Sequence, residues 1–242
     1  MRALFLKEIR SFFTSIIGIV VISVFLLTMG LFVWLLPSQF NVIQNGYASL
    51  ESVFYIAPWV LLLLIPAVTM RLFAEEKRLG TLETLLTKPI NDFQIVLAKY
   101  LAALVIVVVA LLPILVYYVS VQYFLSDRAM DTGGFWGSFI GLLFLASVYV
   151  AIGLFSSSLT SGQIVAFIVA VFLTMLFYIG FDLLSEMNFW GGFAQVWSYL
   201  SLDNHYASMS RGVLDSRDIV YFLSLDFIFI YLTSFVLKTR KW

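Results

Sequence analysis

The sequence predicts an all-α integral membrane protein with six transmembrane helices and both termini cytoplasmic. Three observations carry this. Of 242 residues, 62% are hydrophobic and 12% charged, with mean hydropathy +1.02, whereas a soluble domain is about 25% charged. Six apolar segments are each long enough to cross about 30 Å of hydrocarbon, which takes roughly 20 helical residues. Lys and Arg are divided unevenly between the connections. The spans must be helical, because without water each backbone group has to pair inside its own segment. A β-barrel would show short alternating strands instead of continuous apolar runs. The chain reads as one membrane domain over residues 1–242.

The elements follow in order. Residues 1–15 form an amphipathic helix, with Leu4 or Phe5, Ile9, Phe12 and Phe13 at helical spacing and Arg2, Lys7, Glu8, Arg10 and Ser11 between them. Such a helix lies in the membrane interface. It anchors the first span, or in addition walls a docking site for a cytoplasmic partner. The spans lie near Ile16–Leu36, Val53–Phe73, Val96–Val119, Phe135–Phe155, Ile164–Leu184 and Ile219–Leu237. The first apolar stretch is too long for a signal peptide and no small-x-small site follows it, so a retained anchor is expected. No charge occurs from Thr132 to Phe181. That run must fold back once, and the polar cluster Ser156-Ser157-Ser158-Leu159-Thr160-Ser161-Gly162-Gln163 supplies the break. Eleven of the 14 basic residues fall at the N-terminus, the connection after span two and the C-terminus; only Arg128, Arg211 and Arg217 fall on the other side. The positive side is the cytoplasmic one.

Composition also excludes functions. The 14 basic and 14 acidic residues balance, which argues against a nucleic-acid surface. There is no cysteine and one histidine, His205, so Cys-zinc, iron–sulfur and His-cluster sites are out. No Gly-x-x-x-x-Gly-Lys-Ser/Thr loop occurs, so the chain does not hold ATP by that motif. No nucleophile–base pair stands out, and no enzymatic activity or cofactor is expected of this chain.

The connection between spans two and three carries the argument. Gly80 permits a sharp turn. Thr81 reads as an N-cap, and Glu83 sits in the first turn, where the helix dipole favours a carboxylate. Lys88 and Pro89 mark the end. Leu82, Leu85 and Leu86 share one face. Asn91 with Gln94 reads as a capping box opening span three. The result is a stiff plug of about two turns between two membrane helices. It is either a lipid-facing interfacial helix or a part that transmits force from a soluble protein.

Glu76-x-x-x-Gly80-Thr81-Leu82-Glu83-x-Leu85-Leu86-x-x-Pro89-Ile90, continued by Ile95 and Lys99, resembles the coupling-helix signature of type-2 (ABC-2) ABC-transporter permeases, in its expected place. Two further stretches resemble the gliding-motility-associated, GldF-like branch: Ile152–Ala166, and His205-Tyr206-x-x-x-Ser210-Arg211-Gly212-Val213-Leu214-Asp215-x-Arg217-Asp218 with Ile219–Phe222. The resemblance implies a permease of the bacterial inner membrane. Its partners would be a cytoplasmic ABC ATPase subunit, which holds ATP and Mg, and a second permease subunit, identical or paralogous. The ATPase-coupling interface would comprise Glu76, Gly80, Thr81, Leu82, Glu83, Leu85, Leu86 and Pro89.

Asp226 is the one acid well inside a predicted span. A carboxylate there costs about 2.5–3.5 kcal/mol on insertion scales, so it should face protein or a wet cavity. It is a substrate, ion or proton site, as a secondary transporter or channel would use, or a structural partner for a nearby hydroxyl or basic group, or the span sits shallower than the stretch Ile219–Leu237 implies. Gly133, Gly137 and Gly141 allow close helix approach. Pro58, Pro66 and Pro113 invite kinks. The outer connection from Asp182 to Asp218 is rich in aromatics and is expected to form short interfacial helices. His205 with Asp203 is at most a weak metal pair.

Overall fold

The computed structural model describes residues 1–37, 40–42, 49–86, 90–124, 131–187 and 194–239. Helix α1 (Arg2–Phe13) buries Leu4 and Phe12 and packs along the start of the third crossing. Ser15 then turns extended, and its hydroxyl accepts the Gly18 N–H at 3.1 Å. That cap starts α2 (Ile16–Gly30), which ends in a π-helical turn, Leu31–Leu35. The second crossing is α3 (Glu51–Thr69), continued after a break at Met70 by α4 (Arg71–Arg78). Gly80 adopts φ +68°, the left-handed turn that only glycine takes without cost, and the chain enters α5 (Thr81–Leu86).

The third crossing is α6 (Asp92–Leu111) with α7 (Pro113–Phe124), interrupted at Leu112 where Pro113 supplies no N–H. Helix α8 (Thr132–Leu159) is capped by Asp131, whose carboxylate accepts the Gly134 N–H at 3.0 Å. The fifth crossing is α9 (Gln163–Met175), a π-helical turn Leu176–Gly180, and α10 (Phe181–Glu186). Short helices α11 (Ala194–Tyr199) and α12 (Leu202–Ser210) cap that end, and α13 (Ser216–Lys238) makes the last crossing. Among the described residues six helical stretches are long and apolar enough to cross a membrane, and no strand occurs.

Helix α8 is the axis. Its apolar stretch is 78% buried, and it touches α3, α6, α9, α12 and α13. Small residues make this possible. A Cβ on Gly153 would lie 2.1 Å from Thr69 Oγ1 of α3, and one on Gly137 would lie 2.6 Å from the Met209 carbonyl oxygen. Gly141 meets Met209 and Tyr206. The glycine series therefore packs within the chain, against α12. By contrast the first and fifth crossings are only 22% buried.

Four local expectations are corrected. Ser156–Ser158 do not form the turn: they are helical and fully buried, and the break lies at Thr160–Gly162. The segment Arg71–Arg78 is a helix, not loop. Thr81 is the first residue of α5, not its cap, and its hydroxyl donates to the Glu76 carbonyl at 3.4 Å. Asn91 makes no side-chain cap; the Gln94 N–H donates to the Asn91 backbone carbonyl at 2.8 Å.

Candidate functional site

The segment matched to the coupling signature is built on α4. In an unbroken helix the N–H groups of Phe73 and Ala74 would bond to carbonyls four residues back. Here both donate to Ser157 Oγ of α8, at 3.0 and 3.1 Å, while that hydroxyl donates to the Met70 carbonyl at 2.9 Å. A side chain inserted into the hydrogen-bond ladder is a recognised cause of a sharp break, and it accounts for the one at Met70. Lys77 Nζ also donates to the Ser158 carbonyl. Thus α4 is bonded to the end of α8 at two places.

A second attachment is ionic. Lys99, on α6, is fully buried. Its ammonium lies 3.0 Å from Glu8 Oε1, 3.1 Å from Glu76 Oε2 and 2.8 Å from the Leu72 carbonyl, with the Phe73 ring 5.2 Å away. Lys7 reaches the same two carboxylates, at 3.4 and 3.0 Å. Partial burial disfavours the Lys7 ammonium, but Glu8 and Glu76 together hold its pKa above the ordinary lysine value. Arg71 donates to Ser15 Oγ at 3.0 Å and lies over the Phe12 ring at 5.3 Å. These contacts join α1, α2, α4 and α6 into one unit.

Helix α5 projects from this mount. Leu82 is buried against it, Leu85 is half-buried, and Gly80, Thr81, Glu83 and Thr84 are exposed. Leu79 is 62% exposed just before it. Leu86 closes the helix, while its side chain, Lys88 and Pro89 lie outside the described residues. Glu76 differs from the rest of the set, because both its oxygens face lysines inside the chain. Sequence reasoning named Lys99, Glu8 and Ser157 but did not see that they hold the mount together. The signals were a lone lysine two turns inside an apolar helix and three serines at the end of another.

Asp226 is buried on α13. Ser147 Oγ of α8 lies 2.8 Å from its Oδ2, and the Tyr100 hydroxyl of α6 faces the same pair. Ser147 also bonds the Phe144 carbonyl at 2.7 Å. The acid therefore sits at the meeting point of three crossings, beside hydroxyls and without a basic partner among the described residues.

At the opposite end of the bundle His205 of α12 does not pair with Asp203. Its Nδ1 lies 2.7 Å from Asp218 Oδ1 of α13 and its Nε2 2.9 Å from the Tyr199 carbonyl, with the ring stacked on Tyr221 at 3.9 Å. Asp203 faces the Tyr178 hydroxyl instead. No three-residue cluster able to hold a metal occurs among the described residues.

The sequence model of the ABC-2 family transporter proteins matches residues 2–191. The chain belongs to that family. The match runs from α1 through all five leading crossings and stops before α11, so the mount and α5 lie inside it and Asp226 and His205 lie outside. Membership and six apolar helices together describe a multi-pass membrane permease of a transporter. ABC-2 permeases typically work with an ATPase subunit. No curated protein matches the chain.

Proposed function

We propose that this ABC-2 family chain is the membrane-spanning subunit of an exporter in the bacterial inner membrane, driven by a separate cytoplasmic ATPase. The observation that carries the reading is the exposed α5 helix on a rigid mount. Glu83 and Thr84 face outward on α5, and Leu79 offers an apolar edge beside them. A soluble partner seated there pushes on α4. Through Ser157 and Ser158 that push reaches α8, and through Glu76 and Lys99 it reaches α6 and α1. Residues at van der Waals density transmit such displacement with little loss.

In this reading α5 and both termini are cytoplasmic, as the eleven basic residues on that side support. ATP and Mg are held by the partner, and this chain performs no catalysis. A second permease subunit, a copy or a paralogue, packs on the exposed apolar crossings, with lipid around the rest. The resemblance of Ile152–Ala166 and His205–Phe222 to the GldF-like branch supports a link to gliding motility. Asp226 as an ion or proton site of a secondary transporter is the competing reading.

The test is purification of the tagged native chain in mild detergent with mass spectrometry of its companions, repeated for Glu83→Arg. Recovery of an ATP-binding subunit with the native chain and its loss with the variant is expected. A folded native preparation that brings no nucleotide-binding partner would transfer the weight to the Asp226 reading. ATP-dependent flux in proteoliposomes then separates an exporter from a scaffold that moves nothing.

A further inference from the structure

At the end of the bundle opposite α5, the start of α3 and the residues just before it, the start of α8, the π-helical turn of the fifth crossing and α12 line a half-open cleft of about 1250 Å³. It exceeds the usual range of small-molecule sites, roughly 300–1,000 Å³. Its walls combine two chemistries. Aromatic faces come from Tyr55, Trp59 and Tyr178. Tyr55 is 63% and Trp59 43% exposed, so the chain itself leaves part of each residue uncovered. Trp59 stands edge-on to Tyr178 at 5.8 Å, and Phe40 stacks on Tyr55 at 5.6 Å, which fixes the ring planes.

The charge is one-sided. Among the described residues three carboxylates, Glu51, Asp131 and Asp203, line the walls against one guanidinium, Arg211. Asp203 is half-buried, and burial raises its carboxyl above the ordinary range despite the Tyr178 hydroxyl bonded to it. Beside the same wall the Tyr149 hydroxyl of α8 is fully buried, close to Tyr178, Asp203 and Tyr206, and makes no hydrogen bond among the described residues. The Tyr206 hydroxyl is already committed, donating to the Phe54 carbonyl at 2.9 Å.

We propose that this cavity binds an organic cation with an apolar body, an amphiphilic ammonium compound. Ring faces attract a cation through their quadrupoles, most strongly where water is displaced. A half-buried carboxylate supplies the counter-charge, and the apolar walls take the body. An anion of the same shape meets three carboxylates and gains nothing from the ring faces. The proposal deepens the exporter reading by naming a cargo class, and it rests on that reading only for the direction of travel.

The experiment uses the full chain in nanodiscs of phosphatidylglycerol, without ATPase or ATP, so its failure and that of the exporter reading are distinguishable. Equilibrium binding of tetraphenylphosphonium is compared with that of tetraphenylborate, an anion of the same shape. Saturable binding of the cation alone is expected, weakened about tenfold by Asp203→Asn and by Trp59→Leu. Glu51→Gln, at the exposed rim and away from the packed wall, gives a smaller loss and guards against a folding artefact. Equal binding of the borate, no saturable binding of the phosphonium, or unchanged affinity in all three folded variants overturns the proposal. Adding phosphatidylethanolamine identifies the natural source: displacement of the phosphonium points to a lipid headgroup, and its persistence to a free amphiphile.

Discussion

Lys99 shows how one residue can hold several elements. A buried ammonium is tolerated only with its charge matched and its donors used, and Glu8, Glu76 and the Leu72 carbonyl do both. Lys99→Met removes the shared partner and leaves two carboxylates facing each other beside Lys7. A loss of about 3–5 kcal/mol is expected, read as a lower unfolding temperature in nanodiscs. At Asp226 the Asn variant keeps an acceptor for Ser147 Oγ, so ATPase association and stability should hold. Transport at native rate by Asp226→Asn would retire the ion-site reading. Asp203 gives a pH dependence. Its carboxyl is raised by burial first and by Asp182 as well, with Tyr178 opposing. The neutral acid is thus favoured in the empty fold. That contribution is present below the ordinary aspartate value of about 3.9 and is lost as pH rises through the raised one. A bound cation favours the ionised form. Phosphonium affinity should therefore grow as pH rises above about 4 and be flatter in Asp203→Asn.

At the scale of elements, the break between α3 and α4 sets where α5 points. Ser157 holds it open by taking two N–H donors and giving its proton to the Met70 carbonyl. Ser157→Ala leaves those backbone groups either unpaired, at about 1–3 kcal/mol, or free to restore a straight helix. Either way α5 is redirected. The expected signature is retained ATPase binding with lost ATP-dependent transport, which separates a transmission defect from a docking defect. Glu83→Arg should behave in the opposite sense, losing the partner while inserting normally. Similar behaviour of the two variants would mean that α4 and α5 do not act in series.

At the scale of the molecule, the uneven burial of the crossings calls for a neighbour. The central helix is enclosed, while the first and fifth crossings present apolar faces such as Ile19, Val20, Ile168 and Phe172. Lipid satisfies such faces as well as protein does, since tails are as apolar as leucine. Mass measurement of nanodisc particles decides between them. Two permease chains per ATPase-bearing particle are expected, and particles with one permease chain and full ATPase occupancy would remove the second subunit from the proposal.

The sequence by itself determined the class, the six apolar helices and the short helix after Gly80, because these rest on local quantities: apolar run length and a glycine before a leucine pattern. It also limited Asp226 to a few roles, since a carboxylate inside an apolar run always needs a partner. The partners themselves were decided by tertiary structure. Ser157 looked like part of a turn until α8 brought it to the break in α3–α4, and Glu76 was assigned to the partner-facing interface, whereas α1 and α6 close on it. His205 has Asp203 two residues away but meets Asp218 and Tyr199, because α12 packs against α11 and α13. Hydrogen bonds and ion pairs need atoms within about 3 Å, and in a bundle those atoms come from elements tens of residues apart. Spacing along the chain therefore fixes the helices, and only their packing fixes which polar groups meet.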